Sequence, residues 1–235
     1  MWRELARGIE IEPSLYAADF ANLGAQIRAL LAAGARIFHF DVGDGRFVEP
    51  ITMGPIVLAS IAPLVHRAGG ALDCHLMVVE PEHHFAQIAN AGGDSVTFHV
   101  EACEDPRRAI AAARALGLGA GVALNPETAV ERALAAAEGA DLVNCMSIHP
   151  GYSGQEFMPE ALPRIAALRR GLPGDVLVQV DGGIERENAH AVSAAGASLL
   201  VAGTSIFDQP DISAAYMSLR SESAIERPEA RKERA

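Results

Sequence analysis

The stretch AGARIFHFDVGDGRF, residues 33–47, opens at a glycine turn, runs through a short apolar segment and breaks at GDG. Inside that segment it carries His39 and Asp41, two positions apart. A buried charge is costly unless something pairs with it. The stretch therefore reads as a strand whose end carries chemistry.

The same form recurs along the chain. GGALDCHLMV, GGDSVTFHV, LGLGAGVAL, GADLVNCMSI, PGDVLVQV and AGASLLVAG are each a Gly- or Pro-marked turn followed by a short aliphatic run. With IEIEPSLY near the start they make eight expected strands. These begin near residues 9, 36, 71, 94, 119, 141, 176 and 198, about 27 residues apart. Between them lie Ala- and Leu-rich segments of helical periodicity, such as DFANLGAQIRALLAA, DPRRAIAAARAL, NPETAVERALAAAE and ALPRIAALRRGL. Asp19, Asp105 and Asn125 before Pro126 have the character of helix caps.

Continuous apolar strands alternating with helices imply a parallel sheet covered by helices. Eight such units in 235 residues predict an α/β protein, a (β/α)8 TIM barrel in a single domain. A doubly wound open sheet is the competing architecture, but no GxGxxG follows any strand. The barrel is expected over residues 1–217. The charged, capless residues 218–235 are expected to form a flexible tail.

Bulk composition narrows the function. The formal net charge is -11, which argues against nucleic-acid or anionic-membrane partners. An anionic small substrate is still compatible, because local backbone dipoles can outvote net charge. The N-terminus has no apolar signal-peptide core, and no run approaches a membrane span; GPIVLASIAPLV is short and broken by Pro63. Cys74, Cys103 and Cys145 lie far apart with no CxxC, which reads as reduced thiols in a cytoplasmic protein. The only lysine is Lys232, in the tail. Schiff-base chemistry is thereby set aside.

In such a barrel the active site lies at the C-terminal ends of the strands. Those ends offer Ser14, the pair His39 and Asp41, His75 with Asp73 one layer below, His99, the run HPGYSGQEF, Asp181 and AGTS. The period of two puts His39 with Asp41, and Asp73 with His75, on one face of each strand. A lone strand-end histidine is most often structural, and a lone Asp before Gly-Gly most often forms a turn. Two imidazoles and two carboxylates in one barrel mouth instead read as N/O ligands for one divalent metal. Asp41 and Asp181 come from strands three apart in a ring of eight. Two carboxylates flanking a bound substrate, with a metal stabilising an enediolate, suit removal of a proton from one face and delivery to the other. The glycines of PGYSG, GG and GT follow strands 6, 7 and 8, where such barrels frequently bind phosphate. With so little lysine, backbone N–H groups are the expected phosphate donors. His83 and His84 are expected at a solvated helix start, His99 as structural, and Asp73 as orienting His75.

The pieces EPSLYAADFANLG, FHFDVGDGRFV, DCHLMV, MSIHPGYSGQEF, VQVDGGI and AGTSIF, in this order over about residues 11–207, resemble the ribulose-phosphate 3-epimerase family. The resemblance implies a barrel of the ribulose-phosphate-binding type. It implies that His39, Asp41, His75 and Asp181 ligate one divalent metal (Zn, Fe, Mn or Co), and that Asp41 and Asp181 are the acid/base pair. It implies substrate contacts from Ser14, His75, Met77, Met146, Gly151, Tyr152, Ser153, Gly154, Gly182, Gly183, Gly203 and Thr204. The implied reaction interconverts D-ribulose 5-phosphate and D-xylulose 5-phosphate through an enediolate, within pentose phosphate metabolism, in a homo-oligomer. Three departures stand out: Gly43 where the family usually has methionine, FVEP at 47–50 where it has FVPN, and PGYSGQ where it has PGFGGQ. Gly43 and Glu49 leave another ketose phosphate, such as allulose 6-phosphate, as an alternative substrate. A non-catalytic phosphate-binding barrel would lack an acid/base residue, and both aspartates are present. A phosphosugar lyase or decarboxylase would need the missing lysine.

Overall fold

A computed structural model describes residues 4–6 and 8–224. Eight parallel strands alternate with helices: β1 (Glu10–Pro13), β2 (Ile37–Gly43), β3 (Ala71–Met77), β4 (Ser95–His99), β5 (Gly119–Leu124), β6 (Leu142–Met146), β7 (Leu177–Asp181) and β8 (Leu199–Ala202). Each begins within one residue of its expected start. The sheet order is β1-β8-β7-β6-β5-β4-β3-β2, and a bridge between Ser14 and His39 joins its two ends. The architecture is a (β/α)8 TIM barrel.

Helices α1 (Leu23–Ala32), α2 (Pro55–Arg67), α3 (Glu82–Ala91), α4 (Pro106–Ala115), α5 (Val130–Ala136), α6 (Ala161–Gly171), α7 (Arg186–Ala194), α8 (Thr204–Phe207) and α9 (Ile212–Ser223) follow the strands. Alternation along each strand divides the apolar side chains. Phe38, Phe40, Leu72, Cys74, Val143, Cys145, Val178 and Leu200 belong to the large core under the helices. Ile37, Ala71, Leu142 and Leu199 form a separate cluster that plugs the bottom of the barrel, with Leu5 and Ala6 against it. Above that plug the inward positions turn polar, and the chemistry begins there. The three cysteines are free and buried, packed as small apolar groups.

Helix boundaries moved where capping residues were engaged elsewhere. Asp105 caps α4, accepting a hydrogen bond from the Arg108 N–H. Asp19 instead closes a turn on Ala21 and Asn22, and α1 starts only at Leu23. Asn125 gives its N–H to Glu101 and its carbonyl to Arg164, so α5 starts at Val130 rather than at Pro126. Pro63 does not break its segment either; it lies inside α2. The boundary expected at residue 217 falls within α9, because Tyr216, Leu219 and Ser223 are all buried. Residues 225–235 of the expected tail lie outside the described residues. Among the described residues, no helix is long and apolar enough to cross a membrane.

Candidate active site

The register of β2 against β3 builds the centre. His39 pairs with Asp73 and Asp41 with His75, so four polar side chains form two inward layers on neighbouring strands. Asp181 joins them from the end of β7. His75 Nδ1 lies 3.3 Å from Asp41 Oδ1 and 3.2 Å from Asp181 Oδ2. His39 Nε2 lies 3.3 Å from Asp41 Oδ1, 3.5 Å from Asp181 Oδ2 and 3.3 Å from His75 Nδ1. One ligand atom from each of the four residues falls within 4.8 Å of the others. Two ring nitrogens and two carboxylate oxygens thus converge on one buried point, a donor set that fits a divalent cation.

Charge at this point is set by mutual pairing. Burial opposes a charged His39, but the Asp41 carboxylate and hydrogen bonds to Asp181, Asp41 and Asp73 outweigh it and hold the imidazole well above the usual histidine range. His75 is raised too, burial being outweighed by hydrogen bonds to Asp181 and Asp41. Burial pushes both carboxyls up, but the two histidines hold Asp41 and Asp181 below the usual range. Each charged form at this centre is thus favoured by its oppositely charged neighbours against the cost of burial.

Each histidine is backed from its far nitrogen. His75 Nε2 is 2.9 Å from His99 Nε2, and His99 Nδ1 is 3.4 Å from Glu101 Oε2. Glu101 in turn accepts from the Asn125 N–H and the Thr128 hydroxyl. Burial brings His99 down to about 4, which keeps it neutral. His99, expected as a structural residue, is a direct neighbour of His75. Asp73 backs His39 rather than His75: its Oδ2 lies 3.5 Å from His39 Nδ1. The reason is the register, which sets Asp73 beside His39. Glu12 approaches the same nitrogen at 3.7 Å, and the Gln179 amide donates to both Glu12 and Asp73. Burial and the adjacent Asp73 bring Glu12 up to about 7 against His39 and Gln179.

One cavity opens above the centre. Ser14, Asp41, Met77, Met146, Gly151, Tyr152, Ser153, Gly154, Asp181, Gly182, Gly183, Gly203 and Thr204 all line it. His39 and His75 lie beneath its floor, fully buried. Tyr16, Ile148 and Val201 also line it and were not anticipated. The Ser14 hydroxyl donates to Asp41 Oδ2 at 2.7 Å, leaving Oδ1 for the centre. No lysine or arginine is among its lining residues.

The glycine loops meet on one side. At Gly182 a Cβ would stand 2.2 Å from Ile148 Cγ1, and at Gly183 2.4 Å from the Phe157 nitrogen; both have positive φ. Only glycine fits either position. Gly154 faces Thr204, and Gly203 faces Ser153, so the loops after β6, β7 and β8 are contiguous.

Gly43 behaves otherwise than expected. It is not among the cavity's lining residues. Its missing side chain leaves room for the loop after β2: a Cβ would meet Pro50 O at 2.9 Å and Val48 Cγ2 and Thr52 Cγ2 at 3.0 Å. Gly43 and Pro50 are thus two halves of one packing arrangement. Glu49, beside them, reaches the rim and accepts from the Tyr152 hydroxyl at 3.2 Å.

Comparison with known proteins agrees with this geometry. The ribulose-phosphate 3 epimerase family profile matches residues 10–207. The chain is 41% identical to the ribulose-phosphate 3-epimerase of Synechocystis sp., covering 92% of this chain and 95% of that protein. It is 42% identical to the ribulose-phosphate 3-epimerase of Schizosaccharomyces pombe, over 84% of this chain and 86% of that one. A solved 3-hexulose-6-phosphate synthase superposes with TM-score 0.67 at 23% identity, over 92% of this chain and all of that one, which shows a shared fold. With the family match spanning the whole barrel, the chain belongs to the ribulose-phosphate 3 epimerase family and is an epimerase, an isomerase by class.

Proposed function

We propose that the enzyme interconverts D-ribulose 5-phosphate and D-xylulose 5-phosphate by proton transfer between Asp41 and Asp181. The observation that carries this reading is the pair of carboxylates at the cavity floor, on strands three apart, with the two histidines beneath them. His39, Asp41, His75 and Asp181 would hold one divalent ion, which would supply positive charge against the anion that forms beside the substrate carbonyl.

The chain's own groups do the rest. One aspartate accepts the C3 proton, and the other, in its protonated form, delivers a proton to the opposite face. Ser14 fixes the rotation of Asp41 through its hydrogen bond to Oδ2. Met77 and Met146 give the cavity apolar, adaptable walls that limit water beside the reacting carbon. The contiguous loops at Gly151–Gly154, Gly182–Gly183 and Gly203–Thr204 support a phosphate grip built from backbone N–H groups. That grip reconciles an acidic protein with an anionic substrate.

The fit of Gly43 against Pro50 supports the five-carbon substrate, since the glycine adds no room to the cavity. Exposed Ile51 and Ile56 support a homo-oligomer, and three free buried thiols support a cytoplasmic setting.

The test is turnover of ribulose 5-phosphate by metal-replete enzyme, beside allulose 6-phosphate and with excess chelator. Rapid epimerisation of the pentulose phosphate, lost on chelation, is the expected result. Preference for the six-carbon ketose would refute the substrate, and full activity after verified metal removal would refute the metal.

A further inference from the structure

We propose that Glu12 is a positioning residue for His39, holding its imidazole from below so that Nε2 is presented to the metal. The inference rests on the metal reading above.

Glu12 is fully buried inside the barrel, on β1. A buried carboxylate is expensive unless a partner compensates it. Its surroundings name the partner. Glu12 Oε2 accepts from Gln179 Nε2 at 2.6 Å, and Asp73 Oδ2 accepts from the same nitrogen at 2.8 Å. Asp73 Oδ1 is already taken by the Ser95 hydroxyl at 2.6 Å. Two carboxyl groups therefore share one amide group and leave room for a further donor between them. The nearest further donor is His39 Nδ1, which makes no hydrogen bond and lies at ion-pair range, 3.7 Å from Glu12 Oε2 and 3.5 Å from Asp73 Oδ2. A proton on Nδ1 faces both carboxylates and leaves the Nε2 lone pair free to ligate a metal.

The backing of the two histidines is unequal. His75 is backed by a single imidazole, whereas His39 is backed by two carboxylates. Carboxylate backing raises the basicity of a ligating imidazole and fixes its ring. Glu12 Oε1 makes no hydrogen bond although it is buried.

The test compares metal-free wild type, Glu12→Gln and the double variant Glu12→Gln/Gln179→Glu at pH 8. Zn²⁺ affinity is read by competition with a chromophoric chelator, and the ligand field by the visible spectrum of the Co²⁺ form. Glu12→Gln keeps the volume and removes the charge; it is expected to bind Zn²⁺ roughly 10–100-fold more weakly with a shifted Co²⁺ spectrum. The double variant moves the carboxylate across the 2.6 Å hydrogen bond to β7 and is expected to recover much of the affinity. If Glu12→Gln does not fold, Glu12→Met takes its place with the same expectation. Wild-type affinity and spectrum in the folded single variant would overturn the proposal. So would a double variant as weak as the single one, since the loss would then reflect packing. Failure of wild type to bind Zn²⁺ or Co²⁺ at all would overturn the metal reading together with this one.

Discussion

Replacing Gly43 with alanine probes the loop that closes over the end of β2. The added Cβ would lie 2.9 Å from Pro50 O and 3.0 Å from both Val48 Cγ2 and Thr52 Cγ2. Those neighbours cannot easily give. Thr52 is clamped, accepting from the Gly43 N–H at 2.6 Å and donating to the Asp41 carbonyl at 2.7 Å. Pro50 is backed by Gly151, whose own Cβ position is 3.4 Å from Pro50 Cδ. Overpacking of this kind costs about 1–3 kcal/mol. Alanine returns about 0.5–1 kcal/mol by restricting the unfolded strand. The two contributions net to a loss of up to about 2.5 kcal/mol, centred near 1, which at the centre is a fall in Tm of roughly 2–4 °C for a domain of this size. Denaturant unfolding should show a lower midpoint at unchanged m-value. Because Gly43 does not line the cavity, the ratio of turnover on five- and six-carbon ketose phosphates should stay as in wild type. A variant as stable as wild type, or one with altered substrate preference, would refute this reading of the loop.

Other perturbations act on the centre itself. Asp41→Asn and Asp181→Asn should each fold and each lose roughly 10²–10⁴-fold in kcat, the usual worth of a positioned acid or base; steady-state kinetics on metal-loaded variants decides it. Metal uptake should release protons at neutral pH, because His39 and His75 are held above the usual histidine range in the metal-free protein and must be neutral to ligate. Calorimetric titration in buffers of different ionisation enthalpy measures this, and uptake without proton release contradicts it. Glu101, though partly buried, is brought to about 2 by His99 Nδ1, 3.4 Å away, and by hydrogen bonds from Thr128 and Asn125. Its depressed value stabilises the fold fully above about pH 4.5 and loses that effect as pH falls toward 2. Glu101→Gln should therefore be less stable at pH 7 and show a flatter acid limb; an unchanged limb in thermal scans from pH 5 to 2.5 would count against it.

Much of this could be read from the chain because the signals were local. A glycine or proline turn before each apolar run located every strand, and eight units fitted a closed ring. The period of two then brought His39, Asp41 and His75 to one end, and Asp181 stood where the VQVDGG turn begins. What stayed hidden depended on contacts across the barrel. Glu12 and Gln179 are polar residues inside short buried strands, each two positions before a residue already singled out, Ser14 and Asp181. Applying the same period to them would have exposed the polar layer beneath the metal ligands. His99 was read as structural because nothing in its own strand shows that His75 turns a nitrogen toward it. Asp19 and Asn125 looked like helix caps until their tertiary hydrogen bonds were seen. Gly43 could be understood only with Pro50 and Thr52 in place beside it.

The most direct test of the two-carboxylate account is epimerisation of ribulose 5-phosphate in D2O by metal-loaded enzyme, with deuterium at C3 followed by NMR at early times. With separate aspartates on the two faces, the xylulose 5-phosphate formed should carry deuterium at C3 while unreacted substrate stays largely protiated. Xylulose 5-phosphate that retains the original C3 hydrogen would mean that one group moves the same proton between faces, and would contradict the assignment of Asp41 and Asp181 as an opposed pair.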